Sequence, residues 1–506
     1  MKKAKVFSII LASVMILSAI FLLVACNNGP GTDDTILKAA VEAGQKMTTE
    51  QLLEEAKKES GDFVAYGNTS RITTAMDNFI AKYGKDLGLS GNKASKLSDG
   101  DIYKKLDTES KAANKSSNAS IVLIQDSATL MQYRNTTSML TNYIPMGMDK
   151  KVDEANLMPL AHQFINKLFM YNTTGDTNRK FSNVWQLTQE DYKGKIFFKD
   201  PTSEQVNMNF LIMLTSEDWS KKLETAYKTF NNGKAAEDVG KGKTYTNYGY
   251  KWIAEFIANC NFSINSDTTI AQKLSTADNQ DKMGLFVLSK LRDSSVYGDN
   301  LQVSAWDKEE GATNFTKIDP FAGFMYSIYA QLATNGPRPY TAMLFINYLM
   351  TEEGFTPWKS LGGYSANKDV PVYSGELTKP VELPADQKDG SKDGFVYLDN
   401  NKKEMSYIKS EKVSIGGKDV TIKTYKYLAD GTTITDIDRE TGKATQITVG
   451  DAQKDFKASV KTATISTIKD SELSFWTENL VVEDGAYILS VKADVEDWIN
   501  KKLSGK

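Results

Sequence analysis

The sequence predicts an α/β protein of more than one domain, with a β-rich segment inserted near its C-terminus. Three observations predict it. The chain has 506 residues, more than one ordinary core organises, so two or three domains follow. Short apolar runs recur, each followed by a small polar loop and an amphipathic helix, which is the grammar of α/β folds. From about residue 371 the composition turns to Lys, Asp, Gly and Thr with alternating β-branched residues, the pattern of half-buried hairpins.

The chain opens with Lys2, Lys3 and Lys5, an almost unbroken apolar run from Val6 to Ala25, and then Cys26. The stretch Leu23-Val24-Ala25-Cys26 resembles the lipobox of a bacterial lipoprotein signal. The resemblance implies a signal peptide over 1–25, lipidation (palmitate-type diacylation) of the Cys26 thiol, and a chain held on the extracytoplasmic face of the cell membrane. A plain transmembrane anchor is the other reading, since the run is near the ~20 residues a helix needs to span a bilayer. The small Ala25 directly before Cys26 separates the two. Residues 26–46, with Asn27-Asn28-Gly29-Pro30-Gly31, read as a tether.

Folding is expected from Thr48. Residues 49–59 have a helical apolar stripe at Leu52, Leu53 and Ala56, closed by Gly61. Phe63–Tyr66 reads as a buried strand, Gly67–Ser70 as a turn, and Arg71–Tyr83 as a helix with Ile72, Ala75, Met76, Phe79 and Ile80 inward. A polar region, 90–118, leads to the strand Ile121–Ile124 and a helix after Asp126. Lys195–Lys199 is a strand, and Thr202 and Gln205 have capping-box spacing for the helix through Leu214. A strand is expected near Phe262–Ile264, then a helix after Asn265–Thr269. Pro339–Leu349 is an amphipathic helix, and Val491–Leu503 is the last. Within the inserted segment, Val413–Ile422 and Ile434–Val449 read as hairpins. Asp436-x-Asp438-x-Glu440 hints at a calcium loop, but Thr441 stands where such a loop needs glycine, so a hairpin turn is favoured.

Several functions are excluded or weakened. Removing Lys2, Lys3 and Lys5 leaves 58 basic against 64 acidic residues, a mature charge of −6. Without a dense basic block, nucleic acid is a poor partner. With one histidine and two cysteines, HExxH and Cys/His zinc motifs are impossible. His162, among apolar neighbours, reads as a hydrogen-bonded structural residue. Cys260, on a helical face with Cys26 lipidated, reads as a buried inert thiol. No GxSxG elbow or P-loop accompanies them. No enzyme activity, cofactor or metal is expected.

Five stretches, taken in order, resemble the extracellular solute-binding proteins of ABC importers, in the iron(III)/thiamine/polyamine/phosphonate-type branch with the type II periplasmic-binding fold. They are Leu53–Gly61 with Phe63–Tyr66 and Thr69-Ser70-Arg71; Phe79–Gly84; Ile121–Asp126 with Leu140–Pro145; Leu187-Thr188 through Tyr192–Lys195 to Lys199-Asp200-Pro201; and Tyr340–Gly354. The resemblance covers roughly residues 48–370 and the end from Ser471, and has no counterpart for the insertion. It implies two α/β lobes with a ligand cleft between them, crossings near Tyr143-Ile144-Pro145 and Leu301–Ala305, and no catalysis. Lobe one would be 47–143 plus 304–375 and 471–506, lobe two 144–303, and the β-rich insertion 376–470. The partners implied are a small-molecule ligand and an ABC permease in the membrane, with the receptor itself a monomer.

Ligands in open α/β sheets sit beyond the carboxyl ends of strands, where helix N-termini offer free N–H groups. Three loops have that grammar, giving Tyr66, Asn68, Thr69, Ser70 and Arg71; Thr202, Ser203 and Asn207; and Asn265, Ser266 and Asp267. Gln125 and Asp126 lie at a neighbouring strand end, and Tyr248 is one of three spaced tyrosines. Such a cradle suits a small anionic organic ligand. Other readings stay open for these residues. Thr69, Ser70, Thr202, Ser203 and Asp126 also fit simple helix caps, Arg71 a surface ion pair, and Tyr66 the core. Asp126 also suits a ligand ammonium. Ferric iron is the weaker alternative because the chain lacks the adjacent tyrosine pair of ferric binders; a polyamine is another. From other classes, a carboxylate-dependent extracellular hydrolase and a surface interaction lipoprotein using the insertion stay open.

Overall fold

The computed structural model describes residues 34–172, 181–292, 301–307, 311–315, 317–380, 397–399, 401, 403–427, 429–445, 462–469 and 473–505. The signal segment 1–25, Cys26 and the first part of the tether lie outside the described residues.

The tether expected over 26–46 is folded from Thr35. Helix α1 (Thr35–Gly44) buries Leu37, Ala40 and Val41 at helical spacing, the signal that marks it. Helix α2 (Thr49–Ala56) starts in a capping box between Thr48 and Gln51, which satisfies two otherwise orphaned N–H groups. Strand β1 (Val64–Gly67) is buried throughout. Helix α3 (Arg71–Leu87) turns Ile72, Ala75, Met76 and Phe79 inward and ends at Gly88, whose φ of 61° suits glycine.

The polar stretch 90–118 holds an edge strand, β2 (Lys93–Lys96), and a helix, α4 (Asp99–Ser110), that its polarity conceals. No residue of β2 is buried, and α4 buries only Ile102, Tyr103 and Leu106. Strand β3 (Ala119–Ile124) is wholly buried and feeds α5 (Ser127–Thr136), followed by β4 (Leu140–Thr141).

Next come β5 (Ala161–Asn172), β6 (Ile196–Phe198), α6 (Gln205–Met213), α7 (Glu217–Phe230) and α8 (Tyr248–Asn259). They are followed by β7 (Cys260–Asn261), α9 (Asp267–Leu274), β8 (Met283–Val287) and β9 (Leu301–Val303). The strand expected at Phe262–Ile264 lies earlier, at β7. Cys260 and Asn261 pair with Ile196 and Phe197, and the Asn261 side chain then accepts the Ser263 N–H and turns the chain away. A hairpin of β10 (Trp306–Asp307) and β11 (Gly311–Phe315) precedes β12 (Gly323–Ala333), α10 (Pro339–Leu349), α11 (Glu352–Phe355) and β13 (Gly363–Ser365).

The main sheet runs β2-β1-β3-β12-β5-β8-β6-β7. Its two ends are parallel: β1 pairs with β2 and β3, and β6 with β7 and β8. These ends are the bases of two α/β lobes. The long antiparallel pair β5/β12 joins them, because Tyr329–Leu332 pair with β3 while Lys167–Tyr171 pair with β8.

The crossings therefore differ from those expected at Tyr143–Pro145 and Leu301–Ala305. Tyr143 is buried in lobe one and donates to Asn347 Oδ1 of α10 at 2.9 Å. Asn142 ties the following loop back through the Leu157 carbonyl and the Leu160 N–H. The chain thus stays in lobe one until β5. Leu301–Val303 pairs with Met170–Asn172, inside lobe two, and the return runs along β12.

The β-rich segment stands on a stalk of β14 (Ser374–Pro380) paired with β19 (Thr462–Lys469). In the same segment, β15 (Tyr397–Leu398), β16 (Glu404–Ile415), β17 (Lys418–Tyr427) and β18 (Thr433–Thr435) form a separate antiparallel sheet. The β16/β17 hairpin turns at Gly416-Gly417, both at positive φ, as a two-residue turn of this kind requires. In the calcium-like loop, Asp438 Oδ1 accepts the N–H groups of Glu440 and Thr441, so it builds a turn.

The chain ends in α12 (Leu473–Asn479), β20 (Val481–Val482), which pairs with β12, and α13 (Gly485–Leu503). Helix α13 belongs to neither lobe alone. Lys492 reaches Thr129 of α5 at 3.1 Å, Tyr487 bonds Thr215 after α6 at 2.8 Å, and the Trp498 ring meets Tyr250 of α8. Among the described residues, no helix is long and apolar enough to cross a membrane.

Candidate functional site

The carboxyl ends of β3 and β6 meet across the space between the lobes, and five helices start there. Gln125, at the end of β3, donates from Nε2 to Glu204 Oε1 at 3.1 Å. Asn209 of α6 donates to Asp126 Oδ1 at 3.4 Å and to Glu483 Oε1 at 2.5 Å. Side chains of lobe one, lobe two and the C-terminal segment are thus joined in one network.

Each helix start brings a carboxylate. Asp99 opens α4, Asp126 caps α5 by accepting the Thr129 N–H, Glu204 sits at the N-cap of α6, and Asp267 opens α9. Asp484 caps α13 directly after Glu483. A helix terminus stabilises a nearby anion by about 0.3–1 kcal/mol, up to ~2 when partly buried. The effective cost of burying one ion is several kcal/mol. Helix ends alone therefore do not hold so many charges together.

Lysines supply part of the balance. Lys199, at the end of β6, pairs with Glu204. Lys167 of β5, 1% exposed, donates to Asn207 Oδ1 at 2.7 Å, and Asn207 in turn donates to the Lys199 carbonyl. Lys492 stands 3.9 Å from Asp126 Oδ2. Burial alone would raise the Glu204 carboxyl, but Lys167 and Lys199 hold it below its ordinary value. Burial works against the Lys199 ammonium too, yet Glu204 and Asp267 raise it.

The other side of the network is short of cations. Burial, then the neighbouring Asp126, pushes the Asp99 carboxyl up to about 8, against the Gln125 and Asp126 N–H groups that favour its ionised form. Glu483 is also pushed up to about 8, by burial first, with Asn209 opposing and Asp126 adding to the rise. Both residues keep some exposed surface, but Asp99 Oδ1 and Glu483 Oε2 are sealed and unpartnered. So is Asp267 Oδ1. Beside Glu483 a small cavity has an apolar wall that includes Val206, Phe210, Phe324 and Tyr326. Phe210 and Phe324 stack there at 4.5 Å.

Of the residues read from the sequence, Gln125, Asp126, Asn207 and Asp267 come together in this network. Ser266 caps α9 through the Thr269 N–H, and Asn265 beside it is exposed. Thr202 and Ser203 are exposed and tied to Asp200, whose Oδ1 accepts the Thr202 N–H and hydroxyl. The capping box expected from Thr202 is replaced by Glu204 at the cap, because Asp200 already organises that turn. Tyr66 points away: its hydroxyl donates to Glu109 Oε1 at 2.5 Å, at the far end of α4. Asn68, Thr69, Ser70 and Arg71 line the loop after β1, where Thr69 accepts the Arg71 N–H and Arg71 donates to Ser360 at 3.1 Å. The Asn68 amide nitrogen is sealed and unpartnered. Tyr248 belongs to the lobe-two core, packed on Trp185 and Tyr227, and its hydroxyl accepts the Ala236 N–H.

Asp99, Lys167, Lys199, Glu204, Asn209 and Glu483 escaped the sequence reading. Among the described residues, no group of three His, Cys, Asp or Glu is arranged to hold a metal ion. His162 is fully buried between the rings of Phe355 and Trp358. It is structural, as expected, but neither ring nitrogen makes a well-formed hydrogen bond. Cys260 is half-buried, and burial pushes its thiol well above the ordinary range.

No protein-family model matches the sequence, and no curated protein matches it. Solved structures do. FutA (IdiA) of Trichodesmium, in complex with iron and citrate, aligns over 62% of this chain and 88% of its own at 16% identity, TM-score 0.44. The ferric binding protein from Campylobacter jejuni aligns over 62% and 88% at 13% identity, TM-score 0.42. Iron-bound HitA from Pseudomonas aeruginosa aligns over 65% and 91% at 14% identity, TM-score 0.41.

Proposed function

We propose that this chain is a lipid-anchored, extracytoplasmic solute-binding receptor that closes two lobes on a small ligand and passes it to an ABC permease, without covalent chemistry. The observation that carries the reading is the network Gln125–Glu204 and Asp126–Asn209–Glu483, which draws polar side chains from both lobes into one enclosed space. Groups placed so act on a ligand only when the lobes meet, which is how closure completes a binding site.

Charge decides the ligand class. An anion was the expectation from free helix N-termini, but the starts of α6 and α9 already carry the chain's own carboxylates, Glu204 and Asp267, and of the three expected starts only that of α3 is free of acid. Asp99, Asp126, Glu204, Asp267 and Glu483 outnumber Lys167, Lys199 and Lys492. An organic cation of the polyamine type fits better than an anion. Ferric iron fits less well, because Tyr248 is turned into the lobe-two core.

Thermal unfolding with a panel of polyamines, metal ions, phosphonates and sugar phosphates tests the reading. A cationic compound should raise the melting temperature, and Glu204→Gln should weaken that rise. The receptor reading fails if no class of compound shifts it. The anchor is tested separately: Cys26→Ser should move the chain from the membrane fraction to the soluble one.

A further inference from the structure

We propose that the interlobe space is a proton-dependent latch: Asp99 and Glu483 join Asp126, Glu204 and Asp267 in one acid cluster shared by the lobes, which is neutral only while two of its carboxyls hold protons or a ligand cation replaces them. The latch deepens the receptor reading and rests on its two-lobed closure, but it needs no ligand to be tested.

Asp484 is exposed and spends its carboxylate on the cap of α13, so it stays outside the enclosed count. Inside, five carboxyls face three lysines, Lys167, Lys199 and Lys492, so full ionisation leaves a formal excess of two negative charges. Each lysine is already spoken for. Lys199 is paired with Glu204, Lys167 with Asn207, and Lys492 lies between Thr129 and Asp126. The groups that face Asp99 are Asp126 and the N–H groups after β3, and Glu204 of α6. Those that face Glu483 are Asn209 of α6, Asp126 and Ser127 at the start of α5, and Asp99 of α4. None of these carries a positive charge. Tyr326 and Tyr329 of β12 stand near Glu483 as neutral phenols.

A second observation points into the same space. Tyr103 of α4 is 6% exposed, its hydroxyl is sealed and unpartnered, and it faces Asp99, Asp126 and Glu483. A buried donor aimed at a cluster of acids marks a place built to hold something between them.

Burial among these acids pushes Asp99 and Glu483 up to about 8, against ordinary carboxyl values near 4 once exposed. The closed form therefore binds about two more protons than an open one between those limits. The protons therefore favour closure fully below about 4, and this contribution declines as pH rises and is gone once pH has passed through about 8. A doubly charged organic cation entering the cleft would release both protons and keep the lobes together at higher pH.

The test uses the ligand-free mature chain, titrated from about pH 6 to about pH 10. Infrared absorption reads protonated carboxyls, and small-angle X-ray scattering reads lobe separation. The carboxylic-acid carbonyl band should disappear near pH 8 as the radius of gyration rises. The Asp99→Asn/Glu483→Gln double variant should lack the band and stay compact throughout. Each single variant should lose about half of the band, which keeps the test valid if the double variant folds poorly. The proposal is overturned if no band exists near neutral pH, if it disappears without opening, or if the single variants titrate and open like the parent. A failed latch leaves the ligand panel intact as a test of the receptor reading, and a failed panel leaves this titration intact.

Discussion

Glu59 shows how one carboxyl can organise a distant element. It accepts the N–H groups of Tyr340 and Thr341 at 2.7 and 2.9 Å, and the Thr341 hydroxyl at 2.7 Å, so it caps α10 from outside that helix. Burial pushes it up to about 7 despite those bonds and the nearby Arg338. Its folded value lies above the ordinary value of 4.5. Its contribution to stability is therefore full in acid and declines as pH rises through about 7. Glu59→Ala should cost about 1–2 kcal/mol in urea unfolding, as loss of a cap does. Glu59→Gln should cost less and flatten the pH dependence in that window. His162 runs the opposite way. Burial holds it down to about 3, so the neutral ring is favoured in the fold, and stability falls as pH drops below its ordinary value near 6.5. As the chain's single histidine, it gives one imidazole signal by NMR, which should not titrate from about pH 5 to about pH 8. A midpoint near 6.5 would contradict its burial.

Residues of the site were legible where local grammar reached them. Gln125 and Asp126 end a buried strand before a helix, and Asn207 and Asp267 lie just inside helices after strands. Glu204 was missed by two residues because Thr202 mimics a cap while Asp200 holds its hydroxyl. Asp99 was hidden in a polar stretch with a thin apolar face. Glu483 reaches the site only because β20 pairs with β12, a contact between distant parts of the chain that periodicity does not report. Lys167 is a charged residue in an otherwise buried strand, and that oddity was its only signal.

At the scale of elements, helices with wide apolar faces, such as α3 and α10, were read almost to their ends. The two long central strands of the main sheet, β5 and β12, were not read at all. They lie in the middle of the sheet with both faces covered, so apolar and polar residues do not alternate along them as they would on a half-exposed sheet. The crossings between the lobes were misplaced for the same reason. The insertion behaves differently. The hairpin expected at Val413–Ile422 is there as β16/β17, whereas Ile434 pairs with β17 and residues 446–449 of the second expected hairpin lie outside the described residues. The stalk closes on itself, with Pro380 opposite Thr462. Joining 380 to 462 by a short glycine-containing turn should therefore leave the α/β body intact. Differential scanning calorimetry of the shortened chain should show the main transition at an unchanged temperature. A fall of many degrees would mean that the insertion is part of the body's core.

For the molecule as a whole, two lobes share one sheet, and α13 touches both. Strands β5 and β12 run continuously from one lobe to the other, and the space beside them gathers groups from residue 99 to residue 483. On the proposed reading, the excess of acid over base there calls for a cation as ligand, with protons as its substitute. Native mass spectrometry of the mature chain, mixed with an equimolar pool of polyamines, metal ions and small organic anions, tests this most directly. The account predicts one retained organic cation, lost in Glu204→Gln. Retention of an anion in its place, or of nothing from the pool, would contradict it.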